Sequence, residues 1–249
     1  MSAWIAATAV ERDAGRIAKE QPELWREVRR FNLPVKLALA AAHRVVGALV
    51  QPQRARLYGL APCRPGSPEL RQISRELDAG FARGSCGGLR VNPIYTLHAI
   101  DNLALSALAI RLENREPCVC LGGAAGQAFA ALEDAIDELA GQGAPDEHDD
   151  VVIFGGDQSD ASWRGEPNDT EACGAAIVVT ARPQRVRLIA IERRPVELPD
   201  REAPVAHAAA GLARWLDALA AAPPGLHRYA VPARDGDGVD QIELIAEVA

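Results

Sequence analysis

Apolar residues along the chain recur with two different periods, and the changes of period mark out its elements. Residues 2–10, SAWIAATAV, are small and apolar with β-branched members and read as a first strand. Residues 11–30 are polar and charged, a loop with one helical turn around 23–29. Pro34 opens PVKLALAAAHRVVGALV, an alanine-rich helix with proline in a tolerated first-turn position; His43 belongs on a face of this helix. Residues 55–61, ARLYGLA, read as a second strand. Ser67 caps a helix over 67–82, a glycine-rich loop follows at 83–88, and a long helix spans 94–113 with a small, apolar second half.

The most informative stretch is 116–139, EPCVCLGGAAGQAFAALEDAIDEL. After Pro117, the run Cys118, Val119, Cys120, Leu121 has the length and texture of a buried strand, and Gly122–Gly123 breaks it. Phe129, Leu132, Ile136 and Leu139 then recur at helical spacing among acidic residues, which predicts a helix with one buried face. A strand, a tight glycine turn and a helix present the turn residue to free N–H groups, the place for a nucleophile. The turn holds Ala125 and Gln127 and no nucleophile.

Farther on, VVIFGG at 151–156 and ACGAAIVV within 171–179 read as strands, and RVRLIAIER at 185–193 as the hairpin partner of the latter. Residues 204–222 form an amphipathic helix around Leu212, Trp215 and Leu219. The chain continues with a hairpin between RYAVPA and QIELIAEV; DGDGVD at 235–240 lacks the bidentate glutamate of a calcium loop and is its turn.

Composition narrows the function. The chain has 249 residues, 48% hydrophobic and 24% charged, which suits a globular fold with a substantial core. A net charge of −7 argues against a nucleic-acid partner. No apolar run is long enough for a membrane span, and the N-terminal residues lack a basic segment ahead of their apolar run, so a signal peptide is not expected. The cysteines are Cys63, Cys86, Cys118, Cys120 and Cys173, an odd number at irregular spacing, expected as reduced thiols of a cytoplasmic protein. Cys118 and Cys120 are expected on opposite faces of their strand and so unable to share a metal. The acidic run 146–150, DEHDD, is expected to be a solvated turn. No metal and no cofactor are expected. His98 and Asp101 fall on one helical turn and read as a packing and capping pair, with acid–base work as the alternative.

The stretch 116–139 resembles the nucleophile segment of β-ketoacyl synthases, G-P-C-x-x-V-x-T-A-C-x-S-G before a helix: Pro117 and Cys118 match, and the family's cysteine falls on Ala125. Asn92–Pro93, Tyr95–Thr96 and Asp101–Asn102 resemble the family's N-P-x-x-F-S-x-S-V-H-N segment. The 151–156 strand resembles its D-x-x-x-A-G-G-A-E strand, with Asp157–Gln158 in place of Ala-Glu, and 171–179 resembles G-E-G-A-x-A-L-V-L. The resemblance implies an α/β fold: the N-terminal half of a thiolase-like fold, a mixed five-stranded sheet with helices on both faces. It covers 1–198, with 199–249 as a helix and strand extension of the same domain.

A methyl group at Ala125 cannot form a thioester, and the family's second half, with its histidines and lysine, is absent from these residues. The resemblance therefore implies a shortened, non-catalytic chain-length-factor-like subunit. Its expected partner is a full-length β-ketoacyl synthase in type II polyketide, aryl-polyene or fatty-acid-like biosynthesis, with acyl carrier protein reached through the complex. The expected interface strand is Pro117, Cys118, Val119, Cys120 and Leu121, and a homodimer through the same strand is expected in isolation. The alternatives are a thioesterase or acyltransferase using Cys86 or His98/Asp101, and a stand-alone acyl-binding protein.

Overall fold

The computed structural model describes residues 3–62, 102–122, 126–141, 150–157, 172–195, 208–235 and 238–249. Eight described strands form one sheet: β1 (Ala3–Glu11), β2 (Arg56–Leu60), β3 (Cys118–Leu121), β4 (Asp150–Asp157), β5 (Cys173–Thr180), β6 (Val186–Pro195), β7 (Gly225–Asp235) and β8 (Gly238–Val248). Their order is β3-β2-β4-β5-β1-β6-β8-β7. β3, β2 and β4 run parallel, and every pairing from β4 to β7 is antiparallel. Six described α-helices accompany them: α1 (Ala14–Glu20), α2 (Pro22–Val28), α3 (Leu33–Val45), α4 (Leu103–Arg111), α5 (Gln127–Gly141) and α6 (Ala208–Ala220).

The strands alternate between two cores, as a sheet covered on both faces must. Val152, Phe154, Ala176 and Val178 pack with α1 to α4 on one face. Val151, Ile153, Ala175, Ile177 and Val179 pack with α5 and α6 on the other. The stripe read from sequence lies where its spacing put it: Phe129, Leu132 and Leu139 are buried and Ile136 half-buried. Phe129 meets Trp215 of α6 edge-to-face, with ring centroids 6.3 Å apart. At the start of α3 the Asn32 side chain accepts the Val35 N–H at 3.2 Å, so a polar cap precedes the proline. His43 lies on α3, half-buried; burial, and then the Arg111 charge, lowers its pKa.

α3 is buried along most of its length because it lies directly on the sheet backbone. Gly156 and Gly174 are register partners on β4 and β5. A Cβ at Gly156 would strike the Pro34 carbonyl, and one at Gly174 would strike the Leu37 carbonyl. These two strand glycines thus serve close helix–sheet approach.

Three expectations are corrected. The sheet has eight strands where five were expected, because β6 and the β7–β8 hairpin extend the same sheet beyond β1. β6 is not the hairpin partner of β5: β1 lies between them, paired with both. Asp150, assigned to a solvated turn, opens β4 and is 1% exposed. Its carboxylate accepts two bonds from Arg182 Nη2, at 2.8 and 3.1 Å, and the Val50 N–H at 3.0 Å, which is how a charge is tolerated there. The rest of the acidic run, 146–149, lies outside the described residues.

Candidate functional site

β3 is a sheet edge. Its inner side pairs in parallel with β2, from Leu57–Cys118 to Leu60–Leu121, and no described strand lies on its outer side. The chain enters it through a fixed turn after α4. Glu113 has φ 50°, a left-handed conformation that costs a non-glycine residue about 1 kcal/mol or more. Asn114 holds the turn in place: its Nδ2 donates to the Ala55 carbonyl at 2.6 Å and its Oδ1 accepts the Glu116 N–H at 3.1 Å. The Arg115 N–H donates to the Gln53 carbonyl at 2.8 Å. The strand is therefore anchored to the segment preceding β2 and held in shape. Sequence reading passed over Asn114; its signal was a polar amide just ahead of an apolar run.

Cys118, Val119 and Cys120 are exposed and Leu121 is half-buried against the α5–α6 core. Val119 is 38% exposed; on the other face, α4 packs against β2 and β3 and carries Ile110 at 78% exposure. Apolar side chains are thus exposed on β3 and on the helix that packs against it. The strand expected to be buried is uncovered in the single chain. The opposite edge, β7, differs: it carries His227, Arg228 and Pro232, and proline and charge blunt an edge against further pairing. No charged residue lies on β3.

The cysteine expectation is also corrected. Residues two apart in a strand share a face, and Cys118 and Cys120 are in register with Leu57 and Gly59. Leu57 belongs to the core beneath α3 and α4, and a Cβ at Gly59 would meet Leu105 of α4. Both thiols therefore lie on the α4 side, with Val119 and Leu121 on the other. Burial pushes the Cys118 thiol up, and its Sγ lies 3.6 Å from Asn114 Oδ1.

Beyond β3 the chain reaches Gly126, with φ 90°, whose carbonyl accepts the Phe129 and Ala130 N–H groups at 3.0 Å and starts α5 at Gln127. Gln127 is half-buried at this start. Ala125 lies outside the described residues, as do Cys63, Cys86, His98, Asp101 and His207. At the far end of β4, Asp157 is fully buried and its Oδ2 accepts the Ala210 N–H at 3.0 Å, capping α6 with a negative charge at the favourable end of its dipole. Beside it, Cys173 is pushed up to about 12 by burial and by the Asp157 charge. Among the described residues, no group of three or more histidine, cysteine or acidic side chains could hold a metal ion, and no helix is long and apolar enough to cross a membrane.

No protein-family model matches the chain, and no curated protein matches it in sequence. Solved structures nevertheless share its fold, the thiolase-like fold found in complexes of ketosynthases and chain length factors. The ishigamide ketosynthase/chain length factor superposes over 100% of this chain and 100% of its own, with TM-score 0.68 and 15% identity. A chain of a type II polyketide synthase complex, of a ketosynthase with its acyl-carrier protein, matches over 99% of each chain, with TM-score 0.66 and 10% identity. A chain of the Xenorhabdus doucetiae ketosynthase in complex with its chain length factor matches over 98% of this chain and 99% of its own, with TM-score 0.60 and 10% identity. At these identities the likeness is one of fold.

Proposed function

We propose that this chain is a non-catalytic, chain-length-factor-like subunit that pairs through β3 with a cysteine-bearing β-ketoacyl synthase. It would serve type II polyketide, aryl-polyene or fatty-acid-like biosynthesis, helping to shape the tunnel for a carrier-protein-bound acyl chain. The observation that carries the reading is the open β3 edge: uncharged, exposed and held in shape by Asn114. An edge of this kind is normally covered. Ala125 supports the non-catalytic half of the reading, because it stands where the resembling family has its nucleophile. An obligate contact through this edge should bury more than about 2,000 Å².

The test is co-expression with a cysteine-bearing synthase of the same pathway under reducing conditions. The parent chain should co-purify with it. Val119→Lys, which puts an unpaired charge into the contact at a cost of several kcal/mol, should abolish co-purification. Ile189→Lys, at an exposed site on β6, should leave it unchanged. A synthase that never binds, or that still binds the Val119→Lys variant, refutes the proposal.

A further inference from the structure

β3 carries two thiols, and its pairing with β2 determines what can face them. Within a strand the N–H and C=O of one residue point to one side, and those of the next residue to the other. The Leu121 carbonyl accepts the Ala61 N–H at 2.8 Å, so the main-chain groups of Leu121, and with them those of Val119, face inward. Those of Cys118 and Cys120 face away from β2. A second copy of the chain adding to this edge about a two-fold axis must bond to these outward groups.

Within β3, only three antiparallel registers do so. They oppose Cys118 to Cys118, Cys118 to Cys120, or Cys120 to Cys120 of the other copy. Registers opposing a cysteine to Val119 or Leu121 set outward groups against inward ones and make no ladder. Directly opposed residues in a hydrogen-bonded antiparallel pair have Cα atoms about 5.5 Å apart and side chains on the same face. Disulfides most often span about 5.5–6 Å between Cα atoms. A bridge within one chain is disfavoured: residues two apart along a strand stand about 6.6 Å apart, with Cβ atoms well beyond the usual separation of about 3.8 Å.

We infer that Cys118 and Cys120 form a thiol-oxidation site that covalently joins two copies of the chain across their β3 edges. This rests on β3 being a pairing edge, as in the proposed function, and adds a second occupant and a means of control. The oxidant is a small-molecule disulfide such as oxidised glutathione. A cysteine thiolate of one copy attacks it, forming a mixed disulfide and releasing one small thiolate. The opposed thiolate of the other copy attacks the protein sulfur of that mixed disulfide and releases the second. Two protein thiols and one small disulfide become one protein disulfide and two small thiols. The closed bridge occupies the edge that a synthase would need, so oxidation withholds the chain from that partner.

The test treats the purified, reduced chain with oxidised glutathione and separates it on a non-reducing gel. A species of twice the chain mass should appear and be reversed by dithiothreitol. It should persist in Cys63→Ser/Cys86→Ser and vanish in Cys118→Ser/Cys120→Ser, whose folding is checked by circular dichroism. Persistence in one single variant but not in the double variant supports the inference and identifies the register. Absence of the species, or its persistence in Cys118→Ser/Cys120→Ser, overturns it. Synthase binding by the reduced chain without cross-linking overturns this inference alone. Cross-linking without synthase binding overturns the proposed function alone.

Discussion

One methyl group at Gly174 should be costly, and its cost can be worked out from the packing of α3. A Cβ there would overlap the Leu37 carbonyl and approach the Ala38 nitrogen to 2.7 Å. These are backbone atoms, so no rotamer change relieves the contact. α3 cannot simply lift, because Leu37, Ala38, Ala40, Ala41 and Ala42 are all 1% exposed or less. Overpacking a core costs about 1–3 kcal/mol, and a clash with backbone in a fully buried layer belongs at the top, about 3 kcal/mol. For a chain of this length about 2–4 °C of Tm accompanies each kcal/mol, so Gly174→Ala should melt about 6–12 °C lower. Gly47 is the control. A Cβ there meets nothing within 4 Å, and Gly47→Ala should be neutral or stabilise by up to about 1 kcal/mol. Urea unfolding followed by tryptophan fluorescence measures both. A Gly174→Ala variant within about 0.5 kcal/mol of the parent would refute the claim that α3 lies directly on the β4–β5 backbone.

Arg182→Ala should leave the Asp150 carboxylate buried without its cation; because Arg182 is 29% exposed, the loss should fall below the usual 3–5 kcal/mol for a broken buried pair, at about 2–3 kcal/mol in urea unfolding. Asn32→Ala should remove the cap of α3 and cost about 1 kcal/mol in the same assay. Iodoacetamide should label Cys118 and Cys120 in the native chain, faster as pH rises because burial pushes the Cys118 thiol up, while Cys173, pushed up to about 12, labels only on unfolding. Burial, and then the Glu138 charge, push the Tyr58 phenol up from 10.0 to about 12, so its contribution to stability is complete below pH 10 and is lost as pH rises toward 12. Ultraviolet phenolate titration should show Tyr58 ionising last; ionisation near pH 10 would refute the burial.

Elements with a strong period were legible in the sequence. The α5 stripe, the apolar β4 and β5 runs and the final hairpin all declare themselves through local spacing, and local spacing is set by which face is buried. Neighbour order is not local: alternation marks β6 as a strand without saying that β1 separates it from β5. The acidic run misled because Asp150 has the same side chain as Asp146 and Asp149 of the same run, and its distant partner Arg182 leaves no local signal. Cys118 to Leu121 read as buried because they are apolar on both faces. That texture is equally what an edge awaiting a partner requires. Asn114 left no period at all, since it acts through carbonyls about sixty residues away in the chain.

The place of β1 in the sheet sets a timetable for synthesis. Its central residue Ala7 pairs with Val178, 171 positions later, and β6 follows only after that. At about 5–20 residues per second a ribosome takes roughly 10–35 s to deliver the partner. Throughout that interval SAWIAATAV has no sheet to join and is the kind of short, uncharged, β-prone segment that aggregates. The parallel β2 and β4 can pair earlier, yet β1 must wait for β5 before it can join them, and β6, β8 and β7 can be added only beyond it. Expression yield should therefore depend on chaperones and growth temperature more than on the stability of the finished chain.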